Sequence, residues 1–319
     1  MKIVYNGSMD TVAFKDLLGA TIPRLAAEDP DVIYLDADLM SCIGTTKFAK
    51  EHPERAINCG ISEANMIGTA CGLSAAGFKP IVHTFGPFAS RRVFDQIFLS
   101  GGYAKNSITV IGTDPGVTAT YNGGTHMPFE DMALYRAIPH ATVFDITDTA
   151  MLTDILTQCK DLPGVKYLRV GRKLAAKVYE TGSKFTIGKA IPLREGKDAV
   201  IFATGIMIHE AMQAAEQLSK EGIEVAVVDM FTVKPIDEDA IVQYARATGA
   251  VVTAENHNKI GGLFSAVSDV LARKCPTPAE YVAVEDEFGE VGPQDYLQKR
   301  FGLTADNIVA KVKAVLIRK

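Results

Sequence analysis

The sequence predicts an α/β protein of two domains, each with a mainly parallel sheet flanked by helices. Three observations carry this expectation. Short apolar runs of strand length alternate with stretches of helical spacing, the pattern of a parallel sheet covered on both faces. The alternation lapses once, after residue 170, and then resumes. The 319 residues are enough to bury two cores.

In the first half, DVIYLDADL (31–39) reads as a buried strand. SEANMIGTACGLSAAG (62–77) reads as a helix of small residues suited to close packing. KPIVHTF (79–85), SITVIGTD (107–114), ATVFDI (141–146) and VKYLRV (165–170) read as further strands. Between them, SRRVFDQIFLSGGYAKN (90–106), FEDMALYRAI (129–138) and DTAMLTDILTQCKDL (148–162) have helical spacing. From 171 to 198 the chain is polar, Gly-containing and weakly periodic, a linker with a hairpin-like entry. Four strands follow: AVIFATG (199–205), IEVAVVDM (223–230), AVVTAEN (250–256) and AEYVAVED (279–286). They alternate with the helix-like IMIHEAMQAAEQLSKEG, DEDAIVQYARATG, GGLFSAVSDVLARK and TADNIVAKVKAVL. The expected domains are 1–170 and 190–319, joined by a linker at 171–189.

Composition narrows the function class. Hydrophobic residues at 47% and charged residues at 22% fit a soluble globular protein. A net charge of −5 without a clustered basic face speaks against nucleic acid. The five cysteines include no CxxC pair, as for reduced thiols in a cytoplasm. No apolar stretch is long enough for a signal peptide at the start, or for a membrane span anywhere.

In open α/β sheets, ligands collect beyond the carboxyl ends of the strands. That makes Glu63, HTFGPF (83–88) and TDPGVTATYNGGTH (113–126) candidates for one site. Two readings of Glu63 stand side by side. It is either an acid favoured in the first turn of a helix capped by Ser62, or a semi-buried carboxylate that handles a proton. His126 follows two glycines in a tight loop, where an imidazole can steer a polar substrate or shuttle its proton. Phe85 and Phe88 flank a Gly-Pro bend and suit either an apolar cleft for a flat ring or plain core packing. Asp36 and Asp38 end a strand, but no third ligand follows, so no metal is expected on this chain. NKIGGLFSAV (258–267) lacks the dinucleotide fingerprint and reads as a tight helix entry at an interface.

In this order, DADL, GISEANMIGTACGLSAAG, HTFGPF…FDQ, TD…GGTHMPFED, YLR, EGKDAVIFATG, VVDMFTVKPID and AENHNKIGGLFSAV resemble one family. The resemblance is to the C-terminal half of transketolase and of deoxyxylulose-phosphate synthase, and more distantly to the beta subunit of pyruvate-type dehydrogenases. It covers essentially the whole chain. It implies a pyrimidine-binding domain over 1–170, a transketolase C-terminal domain over 190–319, and thiamine diphosphate as cofactor. Glu63 matches the glutamate that hydrogen-bonds the cofactor N1′ and favours its imino form. Phe85 and Phe88 match positions flanking the pyrimidine, and Asp38 matches an acid near the cofactor. His126 matches the histidine expected to touch substrate hydroxyls or the carbonyl oxygen.

The family's diphosphate-binding half, with its GDG…N magnesium motif, has no counterpart in the sequence. The resemblance therefore implies the second subunit of a split enzyme. Its N-terminal-half partner would hold the diphosphate and Mg²⁺, in an α2β2 heterotetramer, and the chain alone would be inactive. Arg169 matches a phosphate-contacting arginine and Ser41 a nearby serine. Four further positions depart from the family pattern. Asp10 stands where an arginine is common, Thr113 where a histidine is, Asn122 where an acid contacts the donor sugar, and Met127 where a glutamine is usual. These changes imply ketol transfer with an altered sugar, a different anion or an unphosphorylated one. Two other activities remain open: a synthase or 2-oxo-acid dehydrogenase beta-type subunit acting on pyruvate, and a non-catalytic paralogue that binds a partner subunit.

Overall fold

The computed structural model describes residues 2–319, which fall into two units. The first runs up to Pro115 and resumes over Leu134–Phe185. The second joins Gly116–Ala133 to Thr186–Lys319.

The first unit holds β1 (Val32–Asp36), β2 (Ala56–Asn58), β3 (Lys79–Phe85), β4 (Ile108–Thr113), β5 (Thr142–Asp145) and β6 (Val165–Val170). They are all parallel, in the spatial order β5-β6-β4-β3-β1-β2. β1, β4, β5 and β6 are buried at every position, as a sheet covered on both faces requires. That is why their sequences are largely apolar, with Asp36, Asp145, Lys166 and Arg169 as buried charged exceptions. Helix Phe14–Glu28 contributes Phe14, Leu18, Ile22 and Leu25 to the core, a stripe of helical period. Helix Thr149–Cys159 starts where Asp148 accepts the Met151 N–H at 2.9 Å.

Two stretches depart from expectation. The 90–106 region is not one helix. Ser90 (φ −120°, ψ −90°) and Val93 (φ −120°, ψ 12°) break it into a 3-10 turn, Arg91–Val93, and a short turn, Phe94–Gln96. A π-helical stretch, Ile97–Tyr103, follows. The polar segment after β6 forms no hairpin with itself. It bridges antiparallel to the N-terminal segment, at Ile3–Tyr179 and Met9–Ala176.

The second unit holds β7 (Ile191–Arg194), β8 (Ala199–Ala203), β9 (Val225–Asp229), β10 (Thr232–Lys234), β11 (Val251–Asn258) and β12 (Ala279–Val284). Five of them form a sheet in the order β12-β11-β8-β9-β7, parallel except for the antiparallel edge strand β7. Its core gathers Val200, Phe202, Val228, Ile241, Val251, Leu263 and Val267. Helix Glu238–Thr248 is capped by Asp237 and ends at Gly249 in the left-handed conformation (φ 65°). No helix among the described residues is long and apolar enough to cross a membrane.

Candidate active site

The six parallel strands of the first unit bring their carboxyl ends to one edge, where the residues after β1, β3, β4 and β6 gather. Glu63 opens helix Glu63–Ala75, and Ser62 makes no side-chain cap. The carboxylate is only 4% exposed, so burial disfavours its charge unless a partner compensates. The partner is Arg92, whose Nη1 donates to Oε1 at 2.8 Å. The same guanidinium lies 3.9 Å from the centre of the Phe88 ring. Phe85 sits beside Phe88, with ring centres 6.4 Å apart and planes tilted by 42°. Carboxylate, planar N–H cation and aromatic face thus form one stack.

A second arginine closes the other side of Phe85. Arg172 Nε donates to Asp114 Oδ2 at 2.7 Å, and its guanidinium is 4.9 Å from the Phe85 ring. Burial works against the Arg172 charge, but the Asp114 carboxylate outweighs it and holds the group above its usual range. Arg169 is placed differently: it is 1% exposed, with Nη1 3.5 Å from Asp145 Oδ2. Arg172, three residues on, is the more accessible arginine after β6, its side chain 26% exposed.

Beneath these residues lies a buried polar chain absent from the sequence reading. Asp36 accepts from the Tyr34 hydroxyl, from the Leu39 N–H and, at 2.7 Å, from His83 Nδ1. His83 Nε2 is 3.0 Å from the Thr113 hydroxyl. Burial and the neighbouring Asp36 carboxylate push the Tyr34 phenol well above its ordinary range. The only sequence signal was an acid and a histidine inside runs that otherwise read as buried strands.

Asp38 lies past the end of β1 with a left-handed backbone (φ 65°). Its carboxylate accepts from Asn58 Nδ2 at 3.0 Å, and its N–H donates to Asn58 Oδ1 at 3.2 Å. Ser41 is exposed in the 3-10 turn Met40–Cys42. Asp10 accepts from the Thr149 hydroxyl.

His126 and Asn122 belong to the second unit. Asn122 is exposed, and His126 is half-buried with Nδ1 2.9 Å from Thr125 Oγ1. Their segment is a series of 3-10 turns with a left-handed Gly123 (φ 78°). It is anchored by consecutive residues at the end of β11. Asn256 Oδ1 accepts the Val117 N–H at 3.0 Å, the Ala133 N–H donates to His257 Nε2 at 3.4 Å, and the Asn258 N–H donates to the Phe129 carbonyl at 2.9 Å. Glu255 accepts the N–H groups of Leu263 and Phe264, at 2.6 and 2.8 Å, at the start of helix Leu263–Lys274. The ENHN stretch of AENHNKIGGLFSAV therefore caps a helix and seats the His126 segment. Among the described residues, no group of three His, Cys, Asp or Glu side chains is placed to hold a metal ion.

Comparison with known proteins fits this geometry. Residues 10–177 match the transketolase pyrimidine binding domain, and residues 188–308 match the transketolase C-terminal domain. The chain is 48% identical over 294 residues to the 6-deoxy-6-sulfo-D-fructose transketolase subunit SqwH of Clostridium sp. (strain MSTE9), covering 92% of this chain and 91% of that protein. It is 33% identical over 313 residues to the transketolase of Rattus norvegicus, covering 97% of this chain and 50% of that one. A solved split-gene transketolase, described as an inactive beta4 tetramer, has a TM-score of 0.89 at 41% identity, covering 96% of this chain and 99% of that one. The chain belongs to the transketolase family and carries its pyrimidine-binding and C-terminal domains.

Proposed function

We propose that the chain is the second subunit of a split transketolase, working with thiamine diphosphate and a partner that supplies the diphosphate-binding domain and its Mg²⁺. The observation that carries this is the stack of Glu63, a planar N–H donor and Phe88. A buried carboxylate that accepts from a planar nitrogen group lying on an aromatic face has the chemistry needed to hold an aminopyrimidine. The similar lengths of SqwH and of the split-gene enzyme support the split arrangement.

When bound, thiamine diphosphate supplies the nucleophilic thiazolium carbon that takes up the two-carbon ketol unit. This chain's part is to orient and to move protons. Glu63 holds a proton at N1′, and its shielding from water keeps that interaction strong. Phe85 and Phe88 fix the plane of the ring. His126 and Asn122 contact substrate hydroxyls. Asp38 belongs with the cofactor and Ser41 with the anionic end of the sugar. Arg172, just after β6, can meet an anion by exchanging it for Asp114, whereas Arg169, within β6, is already enclosed with Asp145.

The favoured substrate is a ketose with a sulfonate in place of the phosphate. The 48% identical relative is named for such a sugar, and Asp10 and Thr113 remove two of the residues that commonly grip a phosphate. A sulfonate carries one negative charge where a phosphate monoester carries nearly two, so it needs fewer cations. The test is ketol transfer by the two-subunit complex from 6-deoxy-6-sulfo-D-fructose and from fructose 6-phosphate. Higher kcat/KM for the sulfonate, lost by orders of magnitude in Glu63→Gln, is the expected result. Wild-type turnover by Glu63→Gln would end the assignment of Glu63, and a preference for the phosphate would end the substrate reading.

A further inference from the structure

We propose that Arg92 is a built-in stand-in for the cofactor's aminopyrimidine, occupying its seat on Glu63 and Phe88 until the cofactor displaces it. The inference rests on the function proposed above. Arg92 makes the two contacts a bound aminopyrimidine ring requires. Its Nη1–H donates to the Glu63 carboxylate at 2.8 Å, as a protonated N1′ would, and its flat guanidinium lies 3.9 Å from the Phe88 ring centre. A guanidinium and an aminopyrimidinium are both planar, delocalised cations edged with N–H donors, so one seat suits either.

The two partners differ in burial, and this gives the exchange its direction. Glu63 is 4% exposed and fixed at the head of a regular helix. Left without a partner, its carboxylate would be a poorly solvated charge. The Arg92 side chain is 44% exposed, so it can turn into water without leaving a charge buried. It also lies in the broken stretch between Ser90 and the π-helical residues, where no long helix fixes its backbone. The chain can thus keep Glu63 neutralised before the cofactor arrives and release it at small cost afterwards. Arg92 is then a residue that sets cofactor affinity by competing for the seat, and it has no part in the reaction.

The test measures thiamine diphosphate binding, with Mg²⁺, to the two-subunit complex by calorimetry, alongside thermal unfolding of the isolated chain. The variants are Arg92→Ala, Arg92→Gln, Glu63→Gln and the double variant Glu63→Gln/Arg92→Ala. Removing the competing ion pair should tighten cofactor binding about tenfold or more in Arg92→Ala. Arg92→Gln keeps an N–H donor without the charge and should give a smaller gain. In the isolated chain, Arg92→Ala should lower the unfolding temperature. The double variant should recover part of that loss, because the buried carboxylate is gone. Cofactor affinity that is unchanged or weaker in both Arg92 variants would overturn the proposal, since Arg92 would then hold nothing back or would itself help hold the cofactor. A wild-type complex that binds no thiamine diphosphate would instead overturn the proposed function, and this proposal with it.

Discussion

Asn256→Ala tests whether the end of β11 holds the segment that carries His126. Asn256 is 1% exposed, and its Oδ1 accepts the Val117 N–H at 3.0 Å. The fit is close: a Cβ on Gly116 would come within 2.2 Å of that oxygen, and the left-handed backbone there (φ +51°) independently favours glycine. Truncating Asn256 leaves a buried N–H without its acceptor, which costs about 1–3 kcal/mol. For a unit of this size, each kcal/mol moves the unfolding temperature by about 2–4 °C, so a fall of about 2–12 °C is expected. A local signature separates this anchor from general destabilisation. Amide exchange should accelerate first over residues 116–122, before the strands of the second unit. Asn258→Ala is the control, because the Asn258 side chain bonds Asp286 and the Ile260 N–H, and only its backbone N–H reaches the segment. Unchanged exchange over 116–122 in Asn256→Ala, or equal acceleration in Asn258→Ala, would refute the reasoning.

Two further outcomes concern buried charge and close packing. Lys166 is 2% exposed in β6, and burial lowers its ammonium from 10.5 to about 8. The folded state therefore binds fewer protons than the unfolded state between those values, and stability rises with pH across that window. Lys166→Met should stabilise the chain by roughly 2–3 kcal/mol at neutral pH, and urea titrations should show this gain fading between about pH 8 and 10.5. Gly262→Ala should do the reverse, because its Cβ would lie 2.0 Å from Glu255 Oε2 and 2.7 Å from His257 Nδ1. Displacing Glu255 from the Leu263 and Phe264 N–H groups should cost about 2–4 kcal/mol, and a variant as stable as wild type in urea would contradict the cap.

The sheets were legible in the sequence because strands covered on both faces are mostly apolar, and β1, β4 and β6 are, apart from Asp36, Lys166 and Arg169. Helix Phe14–Glu28, strand β2 and helix Gln294–Arg300 had not been anticipated. β2 is only three residues long, too short for a periodic signal. Glu63 stood out as a lone acid on an apolar helix, but its partner lies 29 residues away, within a stretch that reads as one helix and folds as three pieces. The passage of Gly116–Ala133 into the second unit left no trace, because 3-10 turns have no hydrophobic period and their anchor, Asn256, is 139 residues from Val117. Pairings set by tertiary contact leave only local oddities in a sequence. Here these were an acid, a histidine and an asparagine in runs that otherwise read as buried.

Thr113 shows how one such oddity bears on substrate choice. The family resemblance places a histidine there, and the threonine at first suggests only a lost anion contact. In the structure, the Thr113 hydroxyl is fully buried and 3.0 Å from His83 Nε2, while His83 Nδ1 reaches Asp36. A carboxylate accepts, so His83 Nδ1 donates to Asp36, and His83 Nε2 shares its hydrogen bond with the Thr113 hydroxyl. The hydroxyl is thus already committed to a neighbouring strand. An imidazole at 113 would have to fit beside His83 in a site with no exposed surface, and would leave two rings competing for one bond. Placing there the histidine that the family resemblance implies would therefore require His83 to change as well. Thr113→His alone should destabilise the first unit without creating a phosphate grip, whereas Thr113→Ser should keep the chain intact. A Thr113→His variant that folds with wild-type stability and gains activity on a sugar phosphate would show that the polar chain does not constrain the anion site.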